Sequence, residues 1–440
     1  MESASGLGSD RESGRNIPAF GQWDVLVAGG GMAGMGAACA VARQGARVLL
    51  VERLESLGGL GVSGAVANFC YGEDSLPAGQ GAVLTDVWRE LANYRAIGSD
   101  HGWQPRHSGP FYNWPFDHHV LALVLQDMAE QNGVDLLFAT DIVGATVDAG
   151  RIQSVTLHNR SLLQSVSAQV FIDCTGDGVM ARHAGAAVLP PDADHPGSIP
   201  PSHILFVKTS HQPQPQVVKR EEPGAPPPKY SVWPGPEQTA LKMWWPNGDF
   251  DTSTGRGYSD AGRAFRRRIP EFVRHFQGTP QGRDCVFAGA APMLGLRDSV
   301  RVAGDYVLTK DDLLAGRRFP DAVAHGCFPL DSAAIAKQAT PPYQLPYRSL
   351  LVAGLENVLV AGRCFSATRV ALSSARVMVT SCLMGQAAGH AAVLAIRSSR
   401  TLRQVPAADI RAALLAASPN DQLLRDRLTP LETPARKGTS

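Results

Sequence analysis

Apolar and polar positions alternate most informatively over residues 24–53. Asp24-Val25-Leu26-Val27-Ala28 is an apolar run of strand length, and Gly29-Gly30-Gly31-Met32-Ala33-Gly34 is a glycine turn. An alanine-rich run to Gly45 then reads as a helix, and Arg47-Val48-Leu49-Leu50-Val51-Glu52 as a second strand ending on an acid. Strand, turn, small-residue helix and strand in this order make a βαβ unit of the dinucleotide-binding kind. Gly29 is expected to form the tight turn and Gly31 to let the backbone approach a pyrophosphate, while Gly34 and Ala37 let the helix lie close to the strand. The helix N-terminus would offer N–H groups and partial positive charge to the phosphates. Glu52 falls where a ribose-binding acid belongs and would repel a 2′-phosphate, which leaves FAD or NAD.

Elsewhere the pattern is coarser. A helix is expected over 116–131, begun by Phe116-Asp117 and apolar at Val120, Leu121, Val124, Leu125 and Met128. Residues 134–139 read as a strand, 146–159 as a hairpin turning at Asp148-Ala149-Gly150, and 169–174 as a buried strand closed by Thr175-Gly176-Asp177-Gly178. The glycine-rich 55–72 segment follows the ribose acid and is expected to touch the cofactor. Proline clusters over 185–236, including Pro226-Pro227-Pro228, so 212–236 is expected to be an exposed loop. Arg263, Arg266, Arg267 and Arg268 fall on a helix and read as a solvated face. Asn357-Val358-Leu359-Val360-Ala361 is a continuous apolar run, as in a buried parallel strand. Ser373-Ser374 is expected to cap a deep helix over 376–396, with a weaker helix over 407–417.

Composition narrows the class. The chain has 440 residues, 18% charged and 44% hydrophobic, with a net charge of +1, so neither nucleic acid nor an anionic membrane is indicated as partner. The seven cysteines are scattered and never in a C-x-x-C pair, which argues against a disulfide framework, a metal or an iron–sulfur cluster, and for a cytoplasmic setting. Residues 1–20 are polar and read as a disordered lead-in, and the last dozen as a tail.

Four blocks carry a family resemblance. The first is the dinucleotide unit with its Gly58-to-Gly64 extension, and the second is Ile172-Asp173-Cys174-Thr175-Gly176-Asp177-Gly178. The third spans 296–309 with 316–322 after it, and the fourth spans 343–389, with Val360-Ala361-Gly362-Arg363 and Arg376-Val377-Met378 inside it. Together they resemble the FAD-dependent oxidoreductase family of two-domain flavoproteins, distantly similar to the fumarate reductase and succinate dehydrogenase flavoprotein fold, over residues 22–72, 110–190 and 285–396. The resemblance decides FAD over NAD. It implies an α/β fold: a Rossmann-like FAD-binding domain, a parallel sheet with crossover helices and a β-hairpin extension, with an inserted α+β substrate domain. The expected boundaries are 21–72, 110–190 and 345–400 for the FAD-binding domain, 73–109 and 191–344 for the cap, and 401–440 for a C-terminal helix and tail.

The FAD contacts this implies are Gly29, Gly31, Met32, Ala33, Gly34, Glu52 and Arg53; then Gly59, Leu60, Ser63, Gly64 and Ile142; then Thr175, Gly176, Asp177, Gly362 and Arg363; and finally Ser374, Arg376, Val377 and Met378. Candidate substrate or catalytic groups are Arg297, Arg301, Arg348, Arg369 and Arg376, with Tyr347 beside them, because arginines brought to one cleft bind a carboxylate or phosphate through paired donors. Where relatives carry a histidine this chain has Arg369, and after Asp331 it has Ser332 and Ala333, so the proton carrier is missing or moved; His118, His119, His203 and His325 are possible substitutes. The function expected is hydride transfer between FAD and a small anionic organic substrate, with an unidentified electron acceptor or donor. The alternatives are an oxygen-using monooxygenase or oxidase, and a non-catalytic flavin-bearing electron-transfer partner.

Overall fold

The strand Ala19–Ala28 lies at the centre of a seven-stranded sheet in the computed structural model. The model describes residues 10–12, 15–107, 109–160, 162–192, 199–218, 230–236, 238–244, 250–331 and 338–429. Val48–Val51 pairs parallel with one edge of that strand and Leu162–Asp173 with the other, and Asp135–Leu137 extends the parallel set beyond Val48–Val51. Leu162–Asp173 is long enough for two further neighbours. Its first half pairs antiparallel with Arg151–Asn159, which turns into Thr140–Asp148, and its last residues pair parallel with Val358–Val360. The fold is therefore the α/β parallel sheet with a hairpin extension that the sequence implied.

Two helices press on this sheet. Met32–Ala42 and Met378–Ser398 cross so closely that a Cβ on Gly36 would lie 2.3 Å from the Cys382 carbonyl oxygen, and one on Gly389 2.6 Å from that of Ala37. Small residues replace amphipathicity here, since nearly every face of both helices is buried. Met378–Ser398 is long and apolar enough to cross a membrane, but it lies in the protein core. Helix His118–Gln131 begins as its sequence dictates: the Asp117 carboxylate accepts from the amides of His119 (2.8 Å) and Val120 (3.2 Å).

The inserted body is a five-stranded antiparallel sheet in the order Gln216–Val218, Tyr230–Pro234, Thr239–Trp244, Ser202–Lys208, Val286–Ala290. Helix Gly255–Gln277 covers one face with Phe265, Phe272 and Phe276, against Leu205, Tyr230, Leu241 and Met243.

Several expectations need correction. Ser373 and Ser374 do not cap the long helix; they sit inside a separate short helix, Arg369–Ala375, capped by the Thr368 hydroxyl, and the chain turns at Arg376 before Met378. Part of the expected 212–236 loop is the two strands Gln216–Val218 and Tyr230–Pro234, because their β-branched and aromatic residues complete the inserted sheet. Within the lead-in, Asp10–Glu12 and Arg15–Ile17 pair as a small hairpin. The cap is smaller than its sequence limits: Val83, Leu84, Val87 and Leu91, and most apolar residues from Val302 to Leu345, pack in the larger core. Pro226 to Pro228, Ser332, Ala333 and the end of the tail lie outside the described residues.

Candidate active site

The glycine turn forms the floor of a cavity of about 840 Å³. Gly29 has φ +93°, and a Cβ there would meet the Cys174 carbonyl oxygen at 2.7 Å, so only glycine serves. A Cβ on Gly34 would lie 1.8 Å from the Gly29 oxygen, which is how helix and strand close up. At Gly31 the opposite holds: nothing stands within 4 Å of where a Cβ would be, and the opening is the cavity itself. No side chain caps Met32–Ala42, so its first amides face that opening. Glu52 is buried on the same wall, accepting from the amides of Gly30 (2.6 Å) and Leu54 (2.9 Å). Burial pushes its carboxyl above the usual range, and those amides and Arg53 offset only part of that rise.

Thr175 is fixed by Asp173, whose buried carboxylate accepts its hydroxyl at 2.7 Å and its amide at 3.0 Å. Arg363 lines the cavity beside it, donating to Ser299 Oγ (3.0 Å) and pairing with Asp177 at 3.0 Å. Burial alone would raise the Asp177 carboxyl, but Arg363, Ser299 and Arg53 together hold it below the usual range.

A second polar cluster lines the same cavity. Arg376 reaches Asp331 at 3.4 Å and Arg297 reaches it at 3.9 Å. Asp331 is set by its own amide, which donates to Ser373 Oγ at 3.0 Å. Arg297 lies over the Trp244 ring at 5.7 Å, and Phe111 and Phe328 meet edge to face at 5.0 Å on the cavity wall. Arg376 is mostly withdrawn from solvent, which lowers its guanidinium below the ordinary arginine value despite Asp331. The uncapped N-terminus of Met378–Ser398 opens here through Val377, Met378 and Ser381.

The structure sorts the sequence candidates. Gly29, Gly31, Met32, Ala33, Glu52 and Arg53 line the cavity, as do Gly59, Leu60, Thr175, Gly176, Gly362 and Arg363, and then Arg376, Val377 and Met378. Gly34, Ser63, Gly64, Ile142, Asp177 and Ser374 do not. Gly34 and Gly64 are packing positions, Ile142 faces Leu157 in the hairpin, and Ser374 is bonded to Phe328 and Tyr343. Ser63 supports the site through its carbonyl, which accepts from Met293, and Asp177 through Arg363.

Among the arginines, Arg297 and Arg376 come together and the other three do not. Arg301 is fully buried, paired with Asp192 at 2.7 Å and bonded to the carbonyls of Pro190 and Ala367. Arg369 pairs with Asp298 at 2.6 Å, and Arg348 pairs with Asp321 at the surface. These are ion pairs of the fold, formed with acids far away in sequence. Tyr347 is likewise buried and donates to the Leu402 carbonyl at 3.0 Å. None of the four histidines lines the cavity. His325 sits between Tyr71 and the Gly79 carbonyl, His203 contacts the Ala291 carbonyl, and His118 stacks on Phe206 beside His119.

Sequence reasoning missed Lys242, Trp233, Trp244 and Asp331, which all line the cavity. A signal existed in Leu241-Lys242-Met243-Trp244: Leu241 and Met243 enter the cap core, so Lys242 and Trp244 take the other face.

The fold and cavity define a dinucleotide-binding flavoprotein. The chain belongs to the FAD dependent oxidoreductase family, whose model matches residues 24–414. Comparison with curated protein sequences gives no match. Among solved structures it is similar to the flavin-dependent brominase Bmp2, at 12% identity and TM-score 0.50, over 91% of this chain and 85% of that one. It is also similar to a geranylgeranyl bacteriochlorophyll reductase-like protein from Thermoplasma acidophilum, at 13% identity and TM-score 0.48, over 92% and 91% of the two chains. A third is PqsL, a probable FAD-dependent monooxygenase from Pseudomonas aeruginosa, at 16% identity and TM-score 0.46, over 92% and 97%. At such identities the likeness to Bmp2 speaks for the fold alone.

FAD is the cofactor of this family, and the cavity fits it. The space at Gly31 and the uncapped helix suit a pyrophosphate, and buried Glu52 suits ribose hydroxyls.

Proposed function

We propose that this FAD-dependent oxidoreductase acts on a small organic anion with a flat apolar portion, bound where Arg297, Arg376 and Asp331 meet. Gly31, Glu52, Arg53 and Arg363 would hold the cofactor, and Val377 and Met378 would continue its wall. Bound FAD supplies two-electron chemistry, accepting or delivering a hydride. The observation that carries the substrate class is two guanidiniums sharing one carboxylate, Asp331, on the wall of the same cavity. Among the described residues the cluster sets two guanidiniums against one carboxylate, an excess that matches a single anionic group. Trp244, Phe111 and Phe328 exclude water and orient a flat apolar body. The dipole of Met378–Ser398 favours any ligand atom near its N-terminus that gains negative charge.

A second reading, in which oxygen takes the electrons, is favoured by the same excess of positive charge, because reduced oxygen species are anionic. The test is anaerobic mixing of the FAD-loaded protein with aromatic and aliphatic carboxylates, then with NADH or NADPH. Loss of the flavin band with a carboxylate supports direct dehydrogenation. Loss only with a nicotinamide, followed by carboxylate-dependent oxygen uptake once oxygen is admitted, supports the oxygen reading. A band that responds to none of them contradicts both.

A further inference from the structure

Lys242 is a titratable group of the cavity that the anion site does not use. It is buried on the strand Thr239–Trp244, and that strand holds it rigidly. Its Nζ lies 4.8 Å from the Trp233 ring centroid and 5.2 Å from that of Trp244. The charged groups that face it are Arg297, Arg376 and Asp331, with the thiol of Cys70. Asp331 is engaged by the two arginines, and among the described residues no carboxylate forms an ion pair with Lys242. A lysine serving as a structural cation would have such a partner, because an unpaired buried ammonium is costly.

Burial disfavours the ammonium most and Arg297 adds to it; Cys70 and Asp331 do not restore the balance, so the amine titrates at about 7. The two indole faces pull the other way by about 0.5–2 kcal/mol. An amine that changes charge near neutral pH, between two indole rings on the cavity wall, has what a general acid or base requires. None of the four candidate histidines lines the cavity, whereas this amine stands on its wall.

We propose that Lys242 Nζ, set in the aromatic cleft beside the Arg297–Asp331–Arg376 cluster, is the proton-transfer group of the reaction. The proton of a substrate hydroxyl or amine passes to the Nζ lone pair; the electrons of the broken O–H or N–H bond stay on the substrate oxygen or nitrogen, and the reverse step returns the proton. This rests on the anion site proposed above and deepens it: the substrate is a small carboxylate that also bears a hydroxyl or amine.

The test uses the full-length, FAD-loaded protein carrying 13C at the lysine ε-carbon. The chain has seven lysines, and Lys242→Arg identifies the signal. Over about pH 5.5 to about pH 11, the Lys242 resonance should titrate near neutrality, well below the ordinary lysine value of about 10.4. Saturating benzoate, used as the probe anion, should raise the Lys242 midpoint, because a carboxylate beside Nζ favours the ammonium. A Lys242 signal that titrates near the ordinary lysine value of about 10.4 overturns the proposal, as does a midpoint that bound benzoate leaves unmoved. Benzoate that fails to bind at all, read by tryptophan fluorescence, would instead sink the anion site beneath it. With the carboxylate found by the flavin screen, Lys242→Met should lower the rate of flavin bleaching by about 100-fold or more and abolish its pH dependence near neutrality. Retention of that pH dependence, in a variant that still shows the flavin band, counts against the proposal.

Discussion

Arg376 meets Asp331 at 3.4 Å, yet its Nε is buried without an acceptor among the described residues. A buried N–H left unpaired costs about 1–3 kcal/mol, so a ligand oxygen placed there recovers that amount. Arg376→Lys keeps the charge and loses the fork, and should weaken benzoate binding by about 10-fold, measured by tryptophan quenching.

A Cβ on Gly385 would lie 1.9 Å from the Ala33 carbonyl oxygen, where the two core helices cross behind the glycine turn. Gly385→Ala must push Met32–Ala42 away from Met378–Ser398. The expected loss is about 1–3 kcal/mol of stability, together with weaker FAD retention, because the displaced helix carries the first amides of the cradle. Thermal unfolding with and without added FAD reads both effects.

The arginines should separate by the kind of damage their loss does. Arg301→Met strands the Asp192 carboxylate and should cost about 3–5 kcal/mol. Arg348→Ala breaks a half-exposed pair with Asp321 and should cost less than about 1 kcal/mol, with flavin chemistry unchanged. Arg297→Met should leave stability nearly as it is and impair anion binding. Denaturant unfolding and benzoate titration on the same three variants test this sorting.

Acid should destabilise the fold through buried histidines. Burial lowers His325 and His390 to about 4, against an ordinary value near 6.5. Below 6.5 the unfolded chain binds the protons that the folded one refuses, so stability is fully present above that pH and falls as the pH drops toward 4. At pH 5 the loss should be about 2 kcal/mol per histidine, and His325→Gln with His390→Gln should flatten the slope.

The βαβ unit at the cavity floor was legible because its residues are local in sequence: strand, turn, helix and acid fall within 24–53, and Gly29, Gly31 and Gly34 have the turn, the open space and the close packing expected of them. Asp117 was readable as a cap for the same reason. The substrate end was not, since Trp244, Arg297, Asp331 and Arg376 come from four separate segments. Arg301 and Arg369 look like ligand-binding arginines until Asp192 and Asp298 are placed beside them, and that neighbourhood is a property of the fold. The separate short helix Arg369–Ala375 was hidden because Ser373 and Ser374 read as a cap and the residues from Arg369 to Ser398 are mostly small or apolar, which gives a helical pattern no visible end.

The response of the flavin band to carboxylates in wild type and Arg297→Met tests the anion site most directly. At least one small carboxylate should perturb or bleach the band of the wild type, and Arg297→Met, still loaded with FAD, should need about 10-fold more of it. Equal responses from the two proteins, or a loaded wild type that no carboxylate perturbs, would contradict the placement of an anionic substrate at Arg297, Arg376 and Asp331.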